Sequence, residues 1–165
     1  EVKIHTPYII CNDYMYNELK NIKVPTTIMT NSAENNGNIF GAVDYLNHKK
    51  DIINTGVTIK EYEGGISYHG KSMTIDDDIA IVGSFNMDMR SAYIDTELML
   101  VINSKDINKQ LKASMEEYEK KAATVKNETE YSHIPEGMKM KELSDKKKNI
   151  KAWFGWAMNG LRFLF

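Results

Sequence analysis

The chain has 165 residues, 42 % apolar and 27 % charged, which is close to one ordinary globular domain and excludes a collagen-like or wholly disordered chain. Its 21 basic residues are balanced by 23 acidic ones, so a bulk nucleic-acid binder is excluded too. No apolar run reaches the ~18 residues of a membrane span, and the single cysteine, Cys11, rules out a disulfide framework or a Cys-only zinc site.

Val2 to Thr6 reads as a strand that begins at once after Glu1, which suggests a piece cut from a longer chain. Any leader or N-terminal membrane segment would then lie outside it. Pro7 ends the strand, and Cys11 is expected to be a small buried hydrophobe. Asn12 or Asp13 can cap a helix carrying Met15, Leu19 and Ile22, followed by a β-branched strand over 26–30 and a polar loop over 31–37. Ile39, Ala42, Val43, Leu46 and Ile53 share a helical face that ends near Gly56. Val57, Ile59 and Tyr62 predict a third strand. Met73 to Ile75, the acidic turn 76–78 and the apolar run 79–82 predict a hairpin. A strand over 98–102 and a helix from the Ser104 cap to about Ala123 complete the body. The predicted class is α/β, with a mixed, largely central sheet flanked by helices.

Residues 1–123 thus form one domain, 124–144 a polar linker, and 145–165 a basic amphipathic helix. Charge follows this division: residues 139–165 hold seven basic and two acidic residues, against 14 and 21 in the remainder. Ile150, Trp153, Phe154, Ala157, Leu161, Leu164 and Phe165 recur at helical spacing, with Lys147, Lys148, Lys151 and Arg162 mostly off that stripe. This pattern fits an interfacial helix, with Lys147, Lys148, Lys151, Trp153, Phe154 and Leu161 as membrane-contacting residues. The competing reading is a helix that docks on protein.

The chemically informative segment is Tyr68 to Asp76 with Gly83-Ser84-Phe85-Asn86. In an extended segment His69 and Lys71 project from one face, with Gly70 leaving room for a ligand beside the backbone. Ser84 and Asn86 bear the same relation, and a hairpin through Asp76–Asp78 brings all four to its open end. An imidazole, an ammonium, a hydroxyl and an amide there form a candidate phosphate site, with Lys71, Ser84 and Asn86 binding non-bridging oxygens. No carboxylate cluster at magnesium-ligand spacing accompanies them, so the site reads as metal-free and without cofactor. His5, His48 and His133 lack such companions and read as structural. Arg90 is read as pairing with Asp88 or Asp95, or contacting a lipid phosphate.

His69, Lys71, Asp76, Gly83, Ser84 and Asn86 match the HKD pattern His-x-Lys-x4-Asp-x6-Gly-Ser-x-Asn at every fixed position, and so resemble the phospholipase D superfamily. The opening "E-V-x-I-x-T-P-Y" strand, the "I-x-T-N-S" segment and "G-S-x-N-x-D-x-R-S" followed by Thr96-Glu97 resemble the second half of bacterial cardiolipin synthases. The likeness covers roughly residues 1–120, with Asp95 and Tyr68 departing from it. It implies catalytic roles for His69, Lys71, Asp76 and Glu97, with Glu97 taking the imidazole's other N–H. It also implies a phosphohistidine route in which two motifs meet, so this chain supplies half a site. The missing half would lie in the same full-length chain or in a homodimer partner.

These readings imply a phosphatidyltransferase acting on anionic phospholipids at a bacterial cell membrane, with no nucleic-acid partner. The alternatives are a phospholipase D hydrolase, a homodimeric phosphodiesterase or nuclease, and an inactive half that only binds phosphate or membrane.

Overall fold

The computed structural model describes residues 1–154, 160 and 162–164, without the side chains of Phe154 and Phe163. Strand β1 (Val2–His5) is followed by the short strand β2 (Ile9–Ile10) and helix α1 (Asp13–Asn21). Asn12 caps α1, accepting from the Met15 amide at 3.0 Å; such a cap contributes about 1 kcal/mol. Next come β3 (Thr26–Asn31), α2 (Ile39–Ile53, capped by Asn38) and β4 (Thr58–Tyr62). Strands β5 (Ser72–Ile75) and β6 (Ile79–Gly83) make the expected hairpin, and β7 (Met87–Asp88), α3 (Met89–Tyr93), β8 (Met99–Asn103) and α4 (Lys105–Glu119) follow. Ser104 caps α4, as its position predicts.

The expected mixed central sheet is present. β1, β3 and β4 pair in parallel because α1 and α2 cross between them, whereas β5, β6 and β8 extend the sheet antiparallel from β1. Side chains alternate faces along each strand. Ile4, Ile28 and Ile59 pack with Leu19, Tyr45 and Ile52 of α1 and α2, and Cys11 lies fully buried in that cluster. Burying each such side chain stabilises by about 1.5–3 kcal/mol. On the other face Met29, Tyr62 and Tyr68 pack beside Tyr118 of α4.

The α4 side also holds a buried polar chain. Glu119 of α4 is held at a pKa of about 2: burial pushes it up, but hydrogen bonds from His5 and Lys60 and the Lys60 charge outweigh that. Burial keeps His5 neutral, so its Nε2–H donates to Glu119 at 3.3 Å and its Nδ1 accepts from the Tyr68 hydroxyl at 3.2 Å. His5 is structural, as its lack of companions predicts.

Two elements differ from the sequence reading. Helix α4 stops at Glu119, and the supposed linker supplies strand: β9 (Ala122–Val125) pairs antiparallel with β4, and β10 (Tyr131–His133) pairs with β9. The cause is the edge of β4, whose backbone groups need partners. The small side chains of Ala122 and Ala123 fit against that edge with almost no exposure. β10 also completes a buried cluster: Glu61, 3 % exposed, accepts from Tyr45 at 2.6 Å and Tyr131 at 2.5 Å and pairs with Lys49 at 2.7 Å.

The tail departs further. Helix α5 (Asp145–Phe154) and a 3-10 turn (Arg162–Leu164) are described, and Leu161 lies outside the described residues. Lys147, expected at a membrane, is instead buried against the loop after β3, donating to three backbone carbonyls. The reason is that the loop turns three backbone carbonyls toward one point, and the ammonium supplies the donors they need. Arg162 is likewise taken up, binding Asp44 through Nε at 2.6 Å and the Cys11 carbonyl at 2.8 Å. Lys148, Lys151 and Trp153 stay exposed. No helix among the described residues is long and apolar enough to cross a membrane.

Candidate active site

The carboxyl ends of β1, β3 and β4 share one end of the sheet with the start of β5, the end of β6 and the start of β8, as the registers require. His69 and Lys71 lie on the segment entering β5 at that end. The sequence makes this segment rigid from both sides. Asn31, 1 % exposed at the end of β3, donates to the carbonyls of Pro7 and Tyr68 at 2.8 Å and accepts from the Tyr68 amide at 2.8 Å. The Tyr68 ring folds across Gly70, where a Cβ would stand 2.2 Å from its hydroxyl. Gly70 therefore makes room for Tyr68 rather than for a ligand.

Lys71 donates to His69 Nδ1 at 2.9 Å and to the His69 carbonyl at 3.0 Å. Opposite, Ser84 follows Gly83, where a Cβ would stand 2.1 Å from the Leu98 carbonyl, so only glycine lets β6 approach β8 this closely. Ser84 donates to Glu97 and accepts from the Leu98 amide at 3.0 Å. The other Glu97 oxygen accepts from Ser91 at 2.7 Å, and Ser91 in turn receives the Asn86 side-chain amide at 3.3 Å. Asn86 Oδ1 is buried without a hydrogen-bond partner. Asp88 caps α3 by accepting from the Ser91 amide at 2.5 Å, and Arg90 pairs with Asp95 at 3.0 Å.

The electrostatics divide this cluster into complementary parts. Partial burial, then the Lys71 charge, lowers the His69 pKa below 6.5 and keeps the imidazole neutral at pH 7. Burial also lowers that of Lys71, opposed by the Glu97 and Asp88 charges. Hydrogen bonds from Ser84 and Ser91, then the Lys71 charge, hold Glu97 ionised. A neutral nitrogen base thus stands beside an ammonium whose own counter-charge lies across the site. An NMR titration of His69 should therefore give a midpoint below 6.5, rising toward 6.5 in Lys71→Met as the repelling cation is removed. Since the fold disfavours the imidazolium, this group's contribution to stability is complete above 6.5 and declines as the pH falls through the folded midpoint. A midpoint unmoved by Lys71→Met would contradict the assigned contact.

Of the residues singled out in the sequence, His69, Lys71, Ser84, Asn86 and Glu97 share this end of the sheet. Asp76 does not. It sits in the β5–β6 turn at the opposite end, with φ +45°, and its amide donates to the Glu1 carbonyl at 2.9 Å. Aspartate tolerates that left-handed conformation better than most residues, which explains the residue type without chemistry. Glu97 also departs from expectation, because its oxygens are taken by two serine hydroxyls while His69 Nδ1 faces Lys71. Sequence reading missed Asn31 and Ser91 as organisers, although both lie in the quoted T-N-S and D-x-R-S segments.

A sheet of this order carrying a His-x-Lys pair at its end defines a phospholipase D-like fold. It is shared with the phospholipase D family member Nuc from Salmonella typhimurium (TM-score 0.59, 16 % identity, covering 75 % of this chain and 80 % of that one). It is shared also with phosphatidylserine synthase from Haemophilus influenzae (TM-score 0.70, 16 % identity, covering 99 % and 41 %). More particularly, the family described as cardiolipin synthase, PLD-like domain, matches residues 1–118, and the chain belongs to that family. It is 30 % identical over 144 residues to cardiolipin synthase 1 of Staphylococcus epidermidis, covering 86 % of this chain and 29 % of that protein. To cardiolipin synthase A of Wigglesworthia glossinidia brevipalpis it is 35 % identical over 68 residues, covering 41 % and 14 %. The chain spans less than a third of the length of these relatives.

Proposed function

We propose that the chain supplies one of two halves of a phosphatidyltransferase site that works through a phosphohistidine. The observation that carries this is the contact of the His69 imidazole with Lys71, across from the Ser84–Glu97–Ser91–Asn86 network. Lys71, the Asn86 side-chain amide and the Ser84 hydroxyl, once it turns from Glu97, bind the non-bridging oxygens of a phosphodiester, where charge builds in the transition state. One imidazole nitrogen attacks phosphorus, forming the P–N bond as the P–O bond to the leaving alcohol breaks. The imidazolium of the other half gives that oxygen its proton. An acceptor hydroxyl then forms a new P–O bond, breaks the P–N bond and returns its proton to the second imidazole. With Lys71 donating to Nδ1, the neutral ring carries its proton on Nε2. Attack through Nε2 requires Lys71 to turn toward the substrate, freeing Nδ1 to hold the proton. Glu97 acts here by orienting Ser84 and balancing Lys71.

The second half is supported by the edge strand β8, on which Leu100 is 57 % and Val101 62 % exposed, and by Leu98 just before it, 79 % exposed. An apolar edge of this kind calls for a covering partner. The cardiolipin synthase relatives support anionic phospholipid as substrate, and exposed Lys148, Lys151 and Trp153 support peripheral contact with a bacterial cell membrane. The test is to incubate the intact protein with phosphatidylglycerol vesicles and follow lipid products. Cardiolipin with free glycerol is the expected outcome. Phosphatidic acid alone would make it a hydrolase, and no turnover in the presence of both halves would overturn the reading.

A further inference from the structure

Between Lys141 and Lys147 the chain crosses back over the body and is fastened to it three times. Lys141 pairs with Glu63 at 3.3 Å, and the Ser144 amide donates to Glu34 at 2.9 Å. Lys147 inserts its ammonium among the carbonyl oxygens of Ala33, Glu34 and Asn36, at 2.8, 2.5 and 3.0 Å. The Glu34 carboxylate stands 3.8 Å away, and Lys147 as a whole is 8 % exposed.

The loop that Lys147 fills is the one that holds the His69 segment. Asn35, between two of the accepting carbonyls, gives its side-chain N–H groups to Asn31 and to the Ile66 carbonyl, both at 3.1 Å, and accepts from the Gly65 amide at 3.1 Å. Its own amide donates to Ser32 Oγ at 3.1 Å, and Ser32 donates to Glu63 Oε2 at 2.5 Å. Asn31 then grips Tyr68 on both sides of its peptide unit. The backbone carries the contact from Ala33 to Asn35, each hydrogen bond from there to Tyr68 is 3.1 Å or less, and Asn31, Ser32, Asn35 and Asn36 are all buried.

We propose that Lys147 is a positioning residue: by filling the carbonyl cage of residues 33–36 it fixes the loop that aims His69 and Lys71. Without the ammonium, three carbonyls would face one another with no donor, and the loop would open to water. The grip of Asn35 and Asn31 on residues 65–68 would loosen with it, leaving the β5–β6–β8 ladder untouched. The segment after the phospholipase D-like body is on this account part of the site's support.

Hydrogen exchange on the intact protein and its Lys147→Met variant tests this. The Tyr68 and Gly65 amides should exchange at least about tenfold faster in the variant, while β5, β6 and β8 amides keep their rates. Propylammonium should restore protection in Lys147→Ala, and sodium at equal ionic strength should not. The same variants should lose kcat with KM nearly unchanged. That last readout rests on the reaction proposed above and the exchange readout does not: absence of turnover in wild type and variant alike would count against the reaction alone, whereas altered exchange with unaltered kcat would overturn the positioning role. Unchanged exchange at Tyr68 overturns the proposal. Should Lys147→Met fail to fold, Lys147→Ala with and then without propylammonium is read in the same way. Loss of protection spread evenly over all strands in either variant also overturns it, since the lysine would then serve general stability.

Discussion

His69→Ala in the intact protein should reduce phosphatidyl transfer by at least about 10³–10⁴-fold, because loss of the attacking or donating imidazole removes a covalent or proton-transfer step. The fold should survive. His69 is exposed, among the described residues its side chain bonds only to Lys71, and surface changes of this kind shift stability by no more than about 0.5 kcal/mol. Lys71→Ala should lose comparable activity, having removed both the phosphate-facing cation and the charge that adds to burial in keeping the imidazole neutral. Product formation from phosphatidylglycerol vesicles, with thermal denaturation as the control, decides the matter. Near-normal turnover by His69→Ala would move the chemistry away from this pair.

The largest expected stability loss comes from elsewhere. Lys49 is 5 % and Glu61 3 % exposed, and their pairing is supplemented by the hydroxyls of Tyr45 and Tyr131. Lys49→Met leaves the carboxylate buried beside two neutral donors, which should cost about 3–5 kcal/mol. For a chain of this size that lowers the melting temperature by roughly 6–20 °C. Adding Glu61→Leu should recover part of the loss, since an apolar pair no longer strands a charge. A melting temperature unchanged in Lys49→Met would mean that the two tyrosines alone satisfy the carboxylate.

What could be read from the sequence depends on how local the deciding force is. Asn12 and Ser104 cap helices because a side-chain oxygen two or three residues from its amide needs no tertiary help. The 72–83 hairpin is legible because an uninterrupted apolar strand beside an acidic turn has few other solutions. β9 was not legible: Ala-Ala-Thr-Val has no strong pattern of its own, and the open edge of β4 recruits it from over fifty residues away. Lys147 misled for the same reason. On a helical projection it belongs to a cationic face, and only the carbonyls of residues 33–36, 111 or more positions distant, turn it inward. At the site, spacing placed His69, Lys71, Ser84 and Asn86 together, since strand register is set by the hairpin. The same spacing sent Asp76 to the far end of β5. Which hydroxyl or imidazole Glu97 meets is a matter of side-chain reach across β6 and β8, and no periodicity reports that.

Cys11 has a practical consequence. Burial raises its thiol pKa to about 12 and leaves no surface for a reagent to approach. Thiolate is the form that alkylates, so under native conditions this cysteine is silent to maleimides and iodoacetamide. It becomes reactive only when the cluster of α1, α2 and the sheet comes apart, and its modification rate then serves as a built-in clock for global opening. A cysteine introduced at an exposed position such as Trp153 can meanwhile carry a fluorophore or spin label in the otherwise wild-type chain, with no need to remove the native thiol and hollow out the core.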